Sequence, residues 1–241
     1  MMADIDEGTL LGGRLSHRQL RDGHRTGIEP VLLAAAVPAR PGERVLEAGT
    51  GSGAGVLCLA ARIPGLRGTG IERDPKLAQL ARDNAARNGF DAVDILCMDI
   101  AAFRTVEPYD HAFANPPWHD AAGTPSPDGA REAAKRGAPG LLASWATALA
   151  KCVRHHGTVT FVVVAGVLPD CIAALTRSGC GSIGILPLWP RPGAAAKLVI
   201  VQARRAGRAP ARLTPGLVLH EDGAFTRAAQ DVLRDGAGLT V

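Results

Sequence analysis

Residues 43–74 read ERVLEAGTGSGAGVLCLAARIPGLRGTGIERD. ERVLEAG is a short apolar run, long enough for a buried strand. GAGVLCLAARIPG has the Ala/Leu content of a helix and is stopped by Pro64-Gly65. LRGTGIERD is a second strand. Between the first strand and the helix lies Glu47-Ala48-Gly49-Thr50-Gly51-Ser52-Gly53. Glycines at such a turn let the chain bend sharply and let its backbone approach a ligand closely. Strand, glycine turn, helix and strand in this order make a βαβ unit with a parallel sheet.

The pattern continues in both directions. Asp74 as N-cap and Pro75 in the first turn open a helix, PKLAQLARDNAARNG, which Asn88-Gly89 closes. AVDILCMDI and YDHAFAN are the third and fourth strands. A Pro/Gly/Ser-rich loop follows from about Trp118 to Gly129. Then come a helix (Gly140 to about Arg154), a strand (Gly157–Val164), a helix (Pro169–Ser178) and strands at Gly184–Leu188 and Lys197–Gln202. A short helix (Thr226–Arg234) lies in the tail. Upstream, Pro30 opens an apolar helical run, Val31–Val37, that Pro38 stops. The reading is one α/β domain: residues 1–42 form an N-terminal segment and 43–241 a Rossmann-like, doubly wound, mostly parallel core.

Composition is consistent with this and excludes other classes. The chain has 241 residues, 46% hydrophobic and 21% charged, with only 4% aromatic but 29 Gly and 17 Pro. Few aromatics speak against an all-β sandwich. The longest strongly apolar run, about Thr158–Leu168, is short of the ~20 residues that span a bilayer. MMADIDEG has no apolar signal core. The five cysteines are scattered without C-x-x-C spacing, so neither disulfides nor zinc is expected, and the compartment is read as cytoplasmic. His155-His156 lacks further ligands at metal-binding spacing, so no metal is expected.

Three carboxylates and one tetrapeptide carry the chemistry. Gly49, Gly51 and Ala54 approximate the dinucleotide fingerprint. Glu72, at the end of the second strand, is placed to accept hydrogen bonds from ribose hydroxyls. NAD and S-adenosyl-L-methionine share that need, so these residues alone do not separate them; a tight turn and a solvated strand-end charge would use the same residue types. Asp99, ending the third strand, could accept from an adenine amino group or cap a turn.

Asn115-Pro116-Pro117-Trp118 directly follows the fourth strand. Two prolines fix the backbone and end sheet pairing. Asn115 offers a side-chain carbonyl and Trp118 a flat apolar face. A planar group bearing an N–H₂ would stack on Trp118 and donate to Asn115 Oδ1 and the Pro116 carbonyl. An aryl amine is a poor nucleophile because its lone pair is delocalised. Two acceptors favour pyramidalisation and aim the lone pair at an electrophilic methyl, which is catalysis by positioning and electrostatics.

EAGTGSG, Glu72, Asp99 and NPPW, in this order, resemble class I S-adenosylmethionine-dependent methyltransferases with the N-P-P-aromatic signature of amino-methyltransferases. With HRTGIEPVLLAAA upstream and RPGAAAKLVIVQARR and LTPGLVLHEDGAFT downstream, nearly the whole chain is similar to the tRNA(Val) adenine-N6 methyltransferase group. The resemblance implies a seven-stranded sheet and S-adenosyl-L-methionine as cofactor. It implies that Gly49, Gly51 and Gly53 flank the methionine part, with Glu47 near its amino group, Glu72 on the ribose and Asp99 at the adenine. Gly27 and Glu29 correspond to the upstream segment near the amino-acid tail, and Asn115, Pro116, Pro117 and Trp118 hold the target amine. This chain has Gly27-Ile28-Glu29 where the family commonly has G-T-D, and Trp118 where Tyr or Phe is usual. Guanine N2 in rRNA or a glutamine amide in protein would suit the same tetrapeptide. An NAD(P)-dependent oxidoreductase would leave NPPW without a role. A non-catalytic RNA-binding module would not need Glu47, Glu72, Asp99 and Asn115 together.

Net charge is +4 and the sequence pI about 9.0. Arginines cluster at Arg14, Arg18, Arg21 and Arg25. A second run, Arg191, Lys197, Arg204, Arg205, Arg208 and Arg212, has no acidic residue within it, and Arg131, Lys135 and Arg136 follow NPPW. Such clusters either solubilise a surface or contact phosphates. With the resemblance, they point to tRNA as partner.

Overall fold

The computed structural model describes residues 5–21, 25–117 and 140–241. It opens with an antiparallel hairpin, β1 (Ile5–Leu10) and β2 (Leu15–Leu20), and a helix, α1 (Glu29–Ala36). Then β3 (Arg44–Ala48), α2 (Ala54–Arg62), β4 (Arg67–Glu72), α3 (Pro75–Arg87), β5 (Val93–Cys97) and β6 (Tyr109–Ala114) follow in alternation. Beyond the undescribed stretch come α4 (Leu141–Cys152), β7 (Val153–Val164), α5 (Leu168–Arg177), β8 (Cys180–Trp189) and β9 (Leu198–Arg205). Two-residue strands β10 (Arg212–Leu213) and β11 (Leu217–Val218), a small hairpin of β12 (His220–Glu221) and β13 (Ala224–Phe225), and α6 (Arg227–Leu233) complete the chain.

The sheet order is β5-β4-β3-β6-β7-β9-β8-β10, with β11 also on β8. All pairs are parallel except those of β9, which runs against both neighbours. This is the doubly wound, mostly parallel α/β sheet expected: seven long strands, to which β10 and β11 add a short edge.

Side-chain alternation along the strands feeds a core on each face. Val45, Phe113 and Val162 point to the side covered by α1, α2, α3 and α6. Leu46, Ala112, Ala114, Phe161 and Val163 point to the side covered by α4 and α5. The expected stops hold locally. The Asp74 side chain accepts from Lys76 N at 2.8 Å, and Pro75 takes the first helical position of α3, where no N–H is needed.

The β1–β2 hairpin is an addition to the sequence reading, which assigned no element to residues 1–25. Asn84 on α3 and Asn88, the residue that caps its C-terminus, hold it. Asn84 Oδ1 accepts from Arg18 N (2.9 Å) and its Nδ2 donates to Arg18 O (2.8 Å). Asn88 does the same for Ser16 N and O, at 2.9 and 2.8 Å. The two amides pair with alternate residues of β2 as a neighbouring strand would. No helix among the described residues is long and apolar enough to cross a membrane.

Candidate active site

Register places the candidate residues in a row. Ala48, the last residue of β3, is level with Ile71 of β4 on one side and Ala114 of β6 on the other. Glu72 is level with Cys97 of β5. One step further along the chains, Gly49, Glu72 and Asn115 therefore emerge side by side, with Asp99 at the β5 end. Adjacent strands lie about 4.8 Å apart, so the four strand ends span roughly 14 Å. All leave the carboxyl edge of the sheet, where open α/β sheets bind ligands.

The glycine turn explains its own composition. Gly49, Gly51 and Gly53 have φ of +66°, +56° and +91°. A Cβ on Gly49 would lie 2.5 Å from the Trp145 ring, and one on Gly53 3.3 Å from Ala81 Cβ. Gly51 differs: a Cβ there would meet nothing within 4 Å. Two glycines thus let the turn pack, and the third faces open space at the sheet edge.

Glu72 is 8% exposed. Its Oε2 accepts from Gly51 N and its Oε1 from Asp74 N, each at 2.9 Å. Both oxygens retain a further lone pair for donors such as a ribose diol. Glu47 is turned inward. Its Oε2 accepts from Thr50 Oγ1 (2.5 Å) and from Val56 N (2.8 Å) in the first turn of α2. Burial pushes its pKa up to about 8, against the pull of those two hydrogen bonds. A Cβ on Gly55 would come within 2.0 Å of Glu47 Oε1, so glycine at 55 makes room for the carboxylate. The immediate contacts of Glu47 are thus within the turn.

Asp99 is exposed, and its Oδ1 accepts from Ala101 N at 2.8 Å, capping the 3₁₀ turn Ile100–Ala102. Its second oxygen has no partner among the described residues. Asn115 is half-buried, Pro116 buried and Pro117 half-buried. Trp118 lies outside the described residues, as do Arg131, Lys135 and Arg136. Gly27 and Glu29 open α1. Arg62, ending α2, donates to the Ala34 and Val37 carbonyls at the end of α1, so both helices run the same way. Gly27 and Glu29 therefore lie toward the glycine-turn edge, although no hydrogen bond among the described residues joins them to the turn.

Three residues escaped the sequence reading. His17, on β2, is 3% exposed and lies 3.0 Å from Ser52 Oγ through Nε2. Burial lowers its pKa to about 4. Asn84, fully buried, also donates to Ser52 O at 2.9 Å. Trp145, on α4, packs its ring against Gly49. The N-cap of α3 and its apolar stripe were readable, but nothing local marks Asn84 as a tie to a turn 32 residues away.

The basic clusters are rearranged by the fold. Arg18 pairs with Glu7, and Arg21 and Arg25 each lie 3.0 Å from Asp6, so much of the N-terminal charge is compensated within the hairpin. The later run is split by β9, which carries the chain from one edge of the sheet to the other. Arg191 and Lys197 lie on the glycine-turn edge. Arg204 and Arg205 end β9 at the opposite edge, donating to the His156 and Val153 carbonyls, and Arg208 follows them.

The chain is similar to known methyltransferases. Residues 45–140 match the family model described as a methyltransferase domain. The tRNA1(Val) (adenine(37)-N6)-methyltransferase of Aeromonas hydrophila is 30% identical over 209 residues, covering 84% of this chain and 85% of that protein. The protein of the same name from Enterobacter sp. is 32% identical over 134 residues, and the match spans 53% of this chain and 55% of that relative. A crystal structure described as a predicted O-methyltransferase from Agrobacterium tumefaciens superposes with a TM-score of 0.71 at 26% identity, covering 88% of this chain and 99% of that one.

Proposed function

The chain belongs to the family of S-adenosylmethionine-dependent methyltransferases whose curated relatives are named tRNA1(Val) (adenine(37)-N6)-methyltransferase, and from that premise we propose that it methylates an exocyclic amine of RNA, adenine N6 in a tRNA, in the cytoplasm. The observation that carries the reading is the row Asp99, Glu72, Gly49, Asn115 along one sheet edge. In this reading Asn115, which would bind the acceptor, stands one strand spacing from the turn that would hold the cofactor.

S-adenosylmethionine supplies an electrophilic sulfonium methyl. Toward it, the Glu72 carboxylate would accept from the ribose hydroxyls while its bond to Gly51 N keeps the turn in place. Gly51 leaves space for the methionine part beside Gly49 and Gly53. Glu47 holds the turn from behind and closes the end near the amino group, with Gly27 and Glu29 approaching from α1. The free oxygen of Asp99 would accept from the adenine amine. Asn115 Oδ1 and the Pro116 carbonyl would accept the two hydrogens of the target amine, and Pro117 fixes the path of the chain to Trp118, whose ring would stack on the base. The target base must leave its stack to reach this edge.

Tritiated-methyl transfer to total small RNA, followed by nucleoside digestion, tests the reading. Labelled N6-methyladenosine in the tRNA fraction is the expected result. Label in N2-methylguanosine, or in protein instead of RNA, would move the acceptor while keeping the cofactor half. No label in any fraction would sink the acceptor assignment.

A further inference from the structure

We propose that the cavity beside Trp189, at the far end of the same sheet edge, binds a nucleotide of single-stranded RNA flanking the target base; this rests on the RNA reading above. β8 runs parallel to the central strands, so its last residue, Trp189, emerges on the glycine-turn edge. The return strand β9 starts there too, and Ala165 N, just after β7, donates to Lys197 O at 2.9 Å. A cavity of about 350 Å³ lies in this turn, lined by Trp189, Arg191, Pro192, Gly193, Ala194 and Val218.

The wall is built rather than incidental. Trp189 Nε1 donates to Pro215 O at 3.0 Å. Gly216, at φ +85°, lets the Thr214–Leu217 segment close over the indole: a Cβ there would lie 2.6 Å from Nε1 and 2.4 Å from Pro187 O. The indole is thus held in one orientation before any ligand arrives. Stacking on a fixed aromatic is tolerant of base identity, as a flanking site requires.

Charge selects the occupant. Arg191 and Lys197 are both exposed, and neither side chain makes an ion pair or hydrogen bond among the described residues. The hairpin arginines face Asp6 and Glu7, and Arg204 and Arg205 sit at the opposite edge. Arg191 and Lys197 thus stand beside this tryptophan-walled cavity on the catalytic edge without a carboxylate partner among the described residues, where a backbone phosphate would meet them. From β8 to β6 is three strand spacings, roughly 14 Å, so the bound nucleotide would lie a few positions from the one presented at Asn115.

The test measures binding of a fluorescent single-stranded RNA by anisotropy at two salt concentrations, with methyl transfer to tRNA run alongside. Arg191→Gln with Lys197→Gln should weaken RNA binding about tenfold and lower the log–log salt slope by about 1.4, near 0.7 per lost phosphate contact on a single strand. Trp189→Leu should weaken it by a similar factor. Arg204→Gln with Arg208→Gln, an equal charge change at the other edge, should leave binding nearly unchanged, and calorimetry should show the same S-adenosylmethionine affinity in every variant. Since Arg191 and Lys197 are exposed, their replacement leaves folding intact even if Trp189→Leu loosens its wall. An edge pair without effect, or a control pair with an equal effect, overturns the proposal. If the wild type methylates tRNA in that case, the functional reading survives alone. If the wild type binds RNA through Arg191 and Lys197 yet methylates none, this site survives and the methylation reading falls. A wild type that does not bind RNA overturns it as well.

Discussion

The glycine turn and the Asn115–Pro117 segment end neighbouring strands, yet they are held by different means. The turn is fastened by side chains from four elements: Glu47 on β3, Glu72 on β4, Asn84 on α3 and His17 on β2. The acceptor segment takes its shape from two consecutive proline rings. Fasteners that share a load can be lost singly at moderate cost. A side chain proposed to accept directly from the reacting amine is expected to be harder to replace.

That contrast orders the expected effects. Asn115→Ala should leave S-adenosylmethionine affinity intact and lower turnover roughly 10²–10³-fold, the size of losing one catalytic hydrogen-bonding partner. An equal loss of cofactor affinity, read by calorimetry, would make Asn115 part of the turn's support and erase the distinction. Glu72→Gln sets an amide N–H₂ against the N–H of Gly51 or Asp74. Cofactor binding should weaken about 10–100-fold, since hydrogen bonds to charged groups are worth about 1.5–3 kcal/mol. Unchanged affinity would take Glu72 out of the cofactor site.

His17 gives a pH signature. Burial holds its folded pKa at about 4, below the ordinary 6.5, so the unfolded chain takes up the proton first. The stability that its neutral form supports is complete above pH 6.5 and falls as pH drops toward 4. Between pH 6.5 and 5 the loss should be about 2 kcal/mol, at 1.36 kcal/mol per unit. Glu47 has the opposite sign: with a folded pKa near 8, its share of stability is lost as pH rises from about 4.5 to 8. Comparing urea unfolding of the wild type and His17→Phe at both pH values cancels the Glu47 part. A variant as acid-sensitive as the wild type would show that the turn's tie to β2 is not carried by this imidazole. Smallest of all, Asn88→Ala should cost about 1 kcal/mol in the same assay with unchanged cofactor affinity. A large loss of affinity would mean that the hairpin and the turn act as one unit.

The β3–β6 region was legible because its signals are local. Asp74-Pro75, Pro64-Gly65 and Asn88-Gly89 punctuate the chain, and strand-end carboxylates at 72 and 99 mark the edge. The hairpin was not legible, since IDEGTL and LSHRQL carry no strong alternation and the groups holding β2 sit more than 60 residues away on α3. The charge map failed for a topological reason. A basic run continuous in sequence becomes two surfaces because β9 crosses the sheet between Lys197 and Arg204, and Asp6 and Glu7 answer arginines that look unpaired on the page. Glu47 was legible as a member of the turn, but its inward orientation depends on the empty space at Gly55.

Asn84 and the α3 cap Asn88 have a consequence outside the active site. Among the described residues β2 belongs to a sheet of two strands, and an unpaired strand edge is a template for another chain. Asn84 and Asn88 answer the N–H and C=O groups of Arg18 and Ser16 from within the same molecule. The helix stands in for a third strand and withholds that template from the rest of the population. Along that edge the hairpin is closed to a second chain, and losing both amides would open it as a point of self-association.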